Sequence, residues 1–285
     1  MGAGTELGLR IGRSVALWLP IGLVSAAGGY ALRLVGPRTR RQRRVLENIG
    51  RAFPSTSDAE RRAIAAEMWD NFGRTAAESL IIDRVAADPG RVVLATPEVL
   101  QAGDTTKGIL FVGLHFGNWE TTAIPGVEQS LELMGFYKAS KDELFNAWLE
   151  AIRKPIYPGG IFAATPSTLL KLTRHVRQGR SACILADHRD PTGVNVSFFG
   201  SPAPSTALPG LLHARYGIRI IGARVERLPG ARFRIHLEPI HAEASGDESR
   251  DIHAMTQSIQ AVFERWIKER PGQWTWFYKR WLGQR

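Results

Sequence analysis

The chain has 285 residues, of which 44% are hydrophobic and 22% are charged, a composition typical of one large folded domain or two small ones. Its single cysteine, Cys183, lies in an apolar run and is expected in the core, so an intrachain disulfide and a cysteine-based zinc site are excluded. Because 37 Lys and Arg outnumber 27 Asp and Glu, the net charge of +10 favours an anionic partner: nucleic acid, phospholipid headgroups or an acidic carrier protein.

The N-terminal segment combines an apolar stretch with a basic run. Residues 14–32 hold 19 positions without a charge, and five arginines lie within residues 37–44. That length is near the minimum for spanning a bilayer, but Pro20 and three glycines weaken it as a regular helix. Each arginine would add about 1 kcal/mol of attraction to an anionic leaflet. We therefore expect residues 1–45 to form a membrane-associated helical anchor. The alternative is a buried N-terminal helix beside a solvated basic face.

The next predicted helix begins at a capping box formed by Ser57 and Glu60 and runs to about Ile82. Its apolar residues recur at close to helical spacing and should pack on a sheet. They are Ile64, Met68, Phe72, Ala76 and Leu80. Beyond it, runs rich in β-forming residues alternate with helical patterns. Strands are predicted at 108–114, 131–137, 181–186, 218–225 and 232–239, and helices at 142–153, 166–178, 206–216 and 249–269. This alternation indicates an α/β fold in which one domain, residues 46–285, has a sheet flanked by helices.

The hexapeptide His115-Phe-Gly-Asn-Trp-Glu120 follows the first of these strands. Neither a strand nor a helix brings residues five apart onto one face, but a turn at Gly117 and Asn118 can fold the Glu120 carboxylate back onto the His115 imidazole. The carboxyl edge of an α/β sheet is where ligands bind. A histidine oriented there by a carboxylate is a candidate general base, although a histidine at a strand end can equally be a structural residue.

Polar residues also follow the second predicted strand. Lys138 comes directly after it, and the next helix carries Asn146 and Arg153. These two residues are seven positions apart, or two helical turns, so they share one face of the helix. We take them as candidates for a functional edge.

Asp187 and His188 follow the predicted strand 181–186, at the same sheet edge as His115. They are possible metal ligands, but no second cluster with ligand spacing supports a metal, and we expect none. Phe198 and Phe199, followed by small residues, are candidates for one wall of a groove.

The C-terminal stretch 270–281 interleaves aromatic residues with cations. Stacking on nucleic-acid bases is one interpretation. Core packing or a position at a membrane interface is the other, since tryptophan favours both.

Together, these motifs resemble the lipid A biosynthesis (Kdo2-lipid IV-A) lauroyl/myristoyl acyltransferases of Gram-negative inner membranes, a family that also includes the mycobacterial phosphatidylinositol mannoside acyltransferases. The resemblance covers nearly the whole chain. Beyond the N-terminal apolar and basic segments, its motifs are NIGRAFP at 48–54, KGIL at 107–110, HFGNWE at 115–120, FFG at 198–200 and QWTWF at 273–277. The chain departs from the family at Asp187-His188-Arg189, where Asp-Gln-Asp is usual, and at Pro209, where glycine is common. Both departures bear on acyl-chain length and acceptor identity.

The resemblance implies a glycerol-3-phosphate acyltransferase-like fold with a mixed sheet, at the cytoplasmic face of the inner membrane. It implies transfer of a fatty acyl group from a thioester, on acyl carrier protein or coenzyme A, to a hydroxyl of a lipid A precursor, without a metal or further cofactor. His115 would be the general base with Glu120, and Arg153 or backbone N–H groups around Gly117 would stabilise the oxyanion. The residues expected to contact substrate are Asn118, Lys138, Asn146, Asp187, Phe198, Phe199 and Thr206.

Two rival functions remain open. A basic nucleic-acid-binding protein would account for the arginine run and the aromatic C-terminus, but it leaves the uncharged residues 14–32 and the pair of His115 and Glu120 unexplained. We therefore expect no nucleic-acid partner. An acyltransferase that acts on a glycerolipid, another glycolipid or an aminolipid would carry the same motifs.

Overall fold

The structure, a computed structural model, describes residue 8 and residues 12–101, 106–137, 139 and 142–284. These residues form a seven-stranded mixed sheet, a separate two-stranded hairpin and the helices that pack around them. The helices are α1 (Ile21–Val35), α2 (Arg41–Ala52), α3 (Asp58–Ser79), α4 (Ile82–Ala87), α5 (Ile124–Glu128), α6 (Glu143–Arg153), α7 (Pro166–Arg177), α8 (Leu208–Tyr216) and α9 (Glu248–Glu269). The strands are β1 (Val92–Leu94), β2 (Ile109–Gly113), β3 (Met134–Tyr137), β4 (Ile161–Ala163), β5 (Ser181–Leu185), β6 (Val194–Phe198), β7 (Ser201–Ser205), β8 (Arg219–Leu228) and β9 (Arg232–Pro239).

The sheet has the strand order β1-β9-β8-β2-β5-β3-β4. Strands β8, β2, β5, β3 and β4 run parallel to one another, whereas β9 is antiparallel to β8. The α/β class and the mixed sheet are therefore as expected. At the centre, Gly113 at the end of β2 pairs with Leu185 at the end of β5. Because this register continues past both strand ends, it places His115 beside Asp187.

The core lies on both faces of the sheet. Every residue of β2 is buried, and alternate residues belong to different clusters: Leu110 and Val112 to one, Ile109 and Phe111 to the other. This pattern is typical of a central parallel strand covered by helices on both sides.

The five predicted strands and the predicted helices from α3 onward are present, with ends shifted by a few residues. Strands β1 and β4 and the β6–β7 hairpin were not predicted from the sequence. The first two are three residues long, and β7 has the sequence SPAPS, in which proline disfavours a strand.

Helix α3 begins as its capping box predicts, since the Ser57 hydroxyl accepts from the Glu60 N–H while the Glu60 carboxylate accepts from the Ser57 N–H. Its buried face differs from the predicted apolar stripe. Asn71, Thr75 and Glu78 are buried together with Met68, whereas Ala76 of the predicted stripe is exposed. This helix therefore presents polar groups to the interior.

The uncharged stretch 14–32 does not form one helix, because helical residues 12–16 end before Pro20 and α1 starts at Ile21. Helix α1 packs closely on α3: a Cβ at Gly73 would lie 2.1 Å from the Gly28 carbonyl oxygen. None of the helices in the described part of the chain combines the length and the hydropathy that a transmembrane span requires. The membrane anchor over residues 1–45 and the boundary at residue 46 stay predictions.

Candidate active site

The turn after β2 is buried and tightly packed. Gly117 has a φ of +58°, and a Cβ there would lie 2.0 Å from the Val225 carbonyl oxygen of β8, so only glycine fits. The Asn118 side chain accepts a hydrogen bond from the Glu120 N–H at 3.1 Å, and this contact caps the short 3₁₀ helix Trp119–Ala123. The hexapeptide therefore leaves the sheet as a fixed turn and enters a helix at once.

His115 is hydrogen-bonded to the Asp187 carboxylate. Its Nδ1 lies 2.8 Å from Oδ1 of Asp187, and its backbone N–H donates to Oδ2 at 2.9 Å. Because an ionised carboxylate only accepts hydrogen bonds, the proton of the neutral imidazole sits on Nδ1. Nε2 then carries the lone pair, as a general base requires.

Asp187 is buried, with 2% of its surface exposed, and Trp274 donates its indole N–H to Oδ2 at 2.8 Å. Burial raises the pKa of this carboxyl, but the positive charge of the His115 ring when it is protonated, together with the hydrogen bonds from His115, outweighs burial and holds the pKa well below its ordinary value. Asp187 therefore stays ionised beside the imidazole at neutral pH.

The prediction that Glu120 orients the imidazole is wrong. Its carboxylate accepts a hydrogen bond from Arg153, at the end of α6, and both side chains are about nine-tenths buried. The physical reason is the strand register, which brings Asp187 to His115, while the 3₁₀ helix carries Glu120 away toward α6. The predicted pair is thus two pairs, His115 with Asp187 and Glu120 with Arg153.

Both pairs lie at a cavity of about 510 Å³ at the carboxyl edge of the sheet. His115, Glu120 and Arg153 line it directly, whereas Asp187 lies behind His115. Thr206, also predicted as a site residue, lies on the wall. His188, Arg189 and Asp190 form a further polar part of the lining. The rest of the lining is mostly apolar or aromatic and consists of Trp119, Phe136, Tyr137, Leu149, Tyr157, Ile161, Ala164, Leu169, Cys183, Ile184, Leu185, Ala186 and Leu208.

Three of the residues predicted to contact substrate do not line this cavity. Asn118 is fully buried and donates to Glu78, so it holds the turn instead of facing the cavity. Phe198 is fully buried, and Phe199 packs edge-on against it at a ring distance of 4.9 Å, because the β6–β7 hairpin folds both onto the C-terminal tryptophans. The prediction that these two rings form the groove wall is therefore wrong.

The structure does not test the remaining two predicted contacts. Asn146 lies on α6, two turns before Arg153, and is not among the described residues that line the cavity. Lys138 lies outside the described residues. Their roles stay predictions.

The aromatic C-terminus is part of the core. Trp274, Trp276 and Trp281 are buried, so their rings are not available for stacking on nucleic-acid bases. The same segment holds the turn after β2, because the N–H and the hydroxyl of Thr275 both donate to the His115 carbonyl oxygen at 3.1 Å. Core packing, the second interpretation, is the correct one for these residues.

His115, Asp187 and His188 offer ligand atoms within 4.8 Å of one another, a grouping able to hold a metal ion. Both oxygens of Asp187, however, already accept hydrogen bonds, and the two imidazole rings are stacked at a centroid distance of 4.2 Å. Stacked rings direct their lone pairs side by side, which disfavours a shared ion. The expectation of no metal stays a prediction.

A group of polar side chains behind the turn was not predicted from the sequence. Asn71 and Thr75 each donate to the Gly117 carbonyl oxygen, at 3.0 and 2.8 Å, and Glu78 is paired with Arg227 of β8. A signal was present, since residues 71, 75 and 78 are spaced four and three apart and so share a helix face.

No curated protein matches this sequence closely enough to count as a relative. The sequence model of the bacterial lipid A biosynthesis acyltransferase family, in contrast, matches residues 3–283, nearly the whole chain. The match includes the turn after β2, the strand end that carries Asp187 and the aromatic C-terminus. By this match, the chain belongs to the bacterial lipid A biosynthesis acyltransferase family.

Proposed function

We propose that the protein transfers a fatty acyl group from an acyl thioester to a hydroxyl of a lipid A precursor, with His115 as the general base. The observation that carries this proposal is the hydrogen-bonded pair of His115 and Asp187 at the cavity. An acyltransferase needs a base with a free lone pair beside an apolar space, and both are present. No metal or further cofactor is part of the proposal.

His115 would act first on the acceptor. The acceptor oxygen attacks the thioester carbonyl carbon while its proton passes to Nε2 of His115. Asp187 stabilises the imidazolium that forms, since a buried carboxylate 2.8 Å from Nδ1 favours the charged ring. Collapse of the tetrahedral intermediate breaks the C–S bond, and the departing thiolate takes the proton back from His115. A positioned base of this kind contributes roughly 10² to 10⁴ in rate.

Arg153 is the better candidate for stabilising the oxyanion. Of the two donors considered from the sequence, the Gly117 N–H donates to the Gln273 carbonyl at 3.0 Å and is therefore occupied. Arg153 lines the cavity, and its pairing with Glu120 fixes the guanidinium while leaving further N–H groups to donate. Glu120 would thus act through Arg153.

An anionic acceptor is supported by Arg189. This residue lines the cavity and brings a guanidinium to it, of which Nη1 also donates to the Gln284 carbonyl oxygen at 3.4 Å. A guanidinium in such a position suits a phosphate, which it can bind through two parallel hydrogen bonds. Arg189 and His188 stand where the family usually has Asp and Gln, so this part of the cavity is the place to look for acceptor selectivity.

Association with the cytoplasmic face of the inner membrane is supported by the N-terminal surface. Large apolar side chains are exposed along residues 15–35, with Trp18 at 90%, and exposed arginines lie close by at Arg33 and Arg38. An exposed apolar patch of this kind marks an interaction site, and adjacent cations favour anionic lipid. We propose that this surface lies in the interface, next to the acceptor lipid.

The donor is proposed to be acyl carrier protein or coenzyme A, since both present a thioester and both are anionic. The net charge of +10 favours either one. The cavity's apolar lining suits the aliphatic chain, because each buried CH₂ contributes about 0.8 kcal/mol.

The test is an acyl-transfer assay with the purified protein in lipid vesicles. Carrier-bound and coenzyme A-bound lauroyl and myristoyl groups are offered with a lipid A precursor, a glycerolipid or a phosphatidylinositol mannoside as acceptor, and products are identified by mass spectrometry. Transfer to the lipid A precursor that is lost in His115→Ala supports the proposal. Transfer only to another acceptor refutes the lipid A assignment, and full activity in His115→Ala refutes the role of the base.

A further inference from the structure

A buried ion pair lies directly behind the catalytic turn. Glu78 of α3 is fully buried, and its carboxylate accepts from both terminal nitrogens of Arg227, whose side chain is 10% exposed. Two charges this deep in a protein are costly unless every polar atom around them is satisfied. The groups that satisfy this pair are the ones that hold the turn.

Arg227 determines how the turn's carbonyl is held. A guanidinium only donates, so Asn71 must accept from Nε with Oδ1, at 2.7 Å. The Thr75 hydroxyl oxygen must accept, at 2.8 Å, from Nη2, which also donates to Glu78. Each of the two side chains then has a donor left, the amide NH₂ of Asn71 and the O–H of Thr75. Both donate to the Gly117 carbonyl oxygen, at 3.0 and 2.8 Å.

Glu78 determines the orientation of the next residue in the same way. A carboxylate only accepts, so the amide NH₂ of Asn118 faces it, at 2.7 Å. The amide oxygen of Asn118 therefore faces the other way and accepts from the Glu120 N–H at 3.1 Å. With neutral side chains at 78 and 227, Asn71 and Asn118 would each lose one partner that fixes the amide, and only the backbone groups on the other side, the Gly117 and Gln273 carbonyl oxygens and the Glu120 N–H, would still orient them.

We propose that the ion pair of Glu78 and Arg227 positions the catalytic turn, so that both are positioning residues that act on His115 and Glu120 through Gly117 and Asn118. This inference rests on the proposed acyl transfer. Its consequence is that losing the pair lowers turnover even in protein that stays folded. Misplacing a base by about 1 Å can cost roughly 10²-fold in rate, whereas neutral residues of similar size can replace a buried pair without loss of folding.

The test is the double variant Glu78→Met/Arg227→Met, which removes both charges and both orienting groups. We expect the variant to fold with a lower melting temperature, because the buried amides of Asn71 and Asn118 each lose a partner, and we expect kcat to fall at least about tenfold and KM for the acyl donor to change less than about twofold. The matched control is Asp70→Met/Arg74→Met, which removes an ion pair of the same helix that packs against α1, with a 2.6 Å contact. Its kcat should equal that of the wild type.

Hydrogen exchange of the peptide amides at residues 113–121 provides a second measurement that does not depend on turnover. Exchange should be faster in the double variant than in the wild type and unchanged in the control. If the double variant does not fold, Glu78→Gln replaces it, since the amide has one acceptor where the carboxylate has two, and the same lowered kcat and faster exchange are expected.

Wild-type kcat in a folded double variant would overturn the inference, and so would wild-type exchange at the turn. An equal loss of kcat in the control would overturn it as well, because the effect would then not be specific to the turn. If the wild-type protein transfers no acyl group to any acceptor, it is the proposed function that fails. The exchange measurement then decides by itself whether the pair holds the turn.

Discussion

Replacing Asp187 by asparagine should invert the tautomer of His115. Oδ2 of Asp187 accepts from two N–H groups, those of the His115 backbone and the Trp274 indole, while Oδ1 accepts from Nδ1. Asparagine has one acceptor oxygen, and this oxygen should face the two N–H groups, because together they form two hydrogen bonds to it. The amide NH₂ then faces Nδ1, which must accept, so the ring proton moves to Nε2 and the base is lost.

The expected size of the effect follows from that count. Two of the three hydrogen bonds to residue 187 survive, and in the third the donor and the acceptor exchange roles. The free energy of unfolding should therefore fall by about 1.5–3 kcal/mol, the value of one hydrogen bond to a charged group. The loss of a positioned base should lower kcat by roughly 10² to 10⁴.

The assay is the initial rate of acyl transfer at saturating donor, with protein concentrations corrected for the folded fraction. Asp251→Asn is the control, because this carboxylate is exposed and bonds only to the local Ser245, and its kcat should be unchanged. A rate within about threefold of wild type in a folded Asp187→Asn protein would refute the tautomer argument and with it the role of Asp187.

Three further outcomes are expected. The pKa of Asp187 in the folded protein lies below the ordinary value of about 3.9, so ionisation of this carboxyl stabilises the fold above that pH. We therefore expect the difference in free energy of unfolding between the wild type and Asp187→Asn to be full at pH 7 and to shrink as the pH falls below about 4. Urea unfolding measures this difference. Burial raises the pKa of Cys183 to about 12, so iodoacetamide at pH 8 should alkylate the native protein far more slowly than the urea-unfolded protein, and equal rates would contradict its burial. Gly73→Ala should destabilise the protein by about 1–3 kcal/mol, because the added Cβ meets the Gly28 carbonyl oxygen. Gly22→Ala is the control and should not destabilise it, because the space around Gly22 is open. Equal effects of the two substitutions in urea unfolding would contradict the close packing of α1 on α3.

The strand alternation and the position of His115 at a strand end could be predicted from the sequence, because both are local patterns. Long apolar runs mark the central strands, and a Gly-Asn pair after such a run marks a turn. The sheet edge that carries the cavity followed from these patterns alone. Thr206 and Arg153 were placed at the same edge by the resemblance and by helix periodicity.

The partner of His115 could not be predicted in this way. Whether Asp187 or Glu120 reaches the imidazole depends on the register between β2 and β5, which are separated by about seventy residues, and on the short 3₁₀ helix after Asn118. The prediction of the groove wall was wrong for a similar reason, because the hairpin that carries Phe198 folds onto tryptophans near the end of the chain. Contacts of this range are set by tertiary packing and leave no local pattern.

The most direct test of the account is mass spectrometry of lipid A from cells that lack this protein and are complemented with the wild type or with His115→Ala. We predict that the deletion removes one secondary acyl chain and that only the wild type restores it. Unchanged lipid A in all strains would contradict the acceptor assignment. Restoration by His115→Ala would contradict the central claim that this histidine, held by Asp187, is the base.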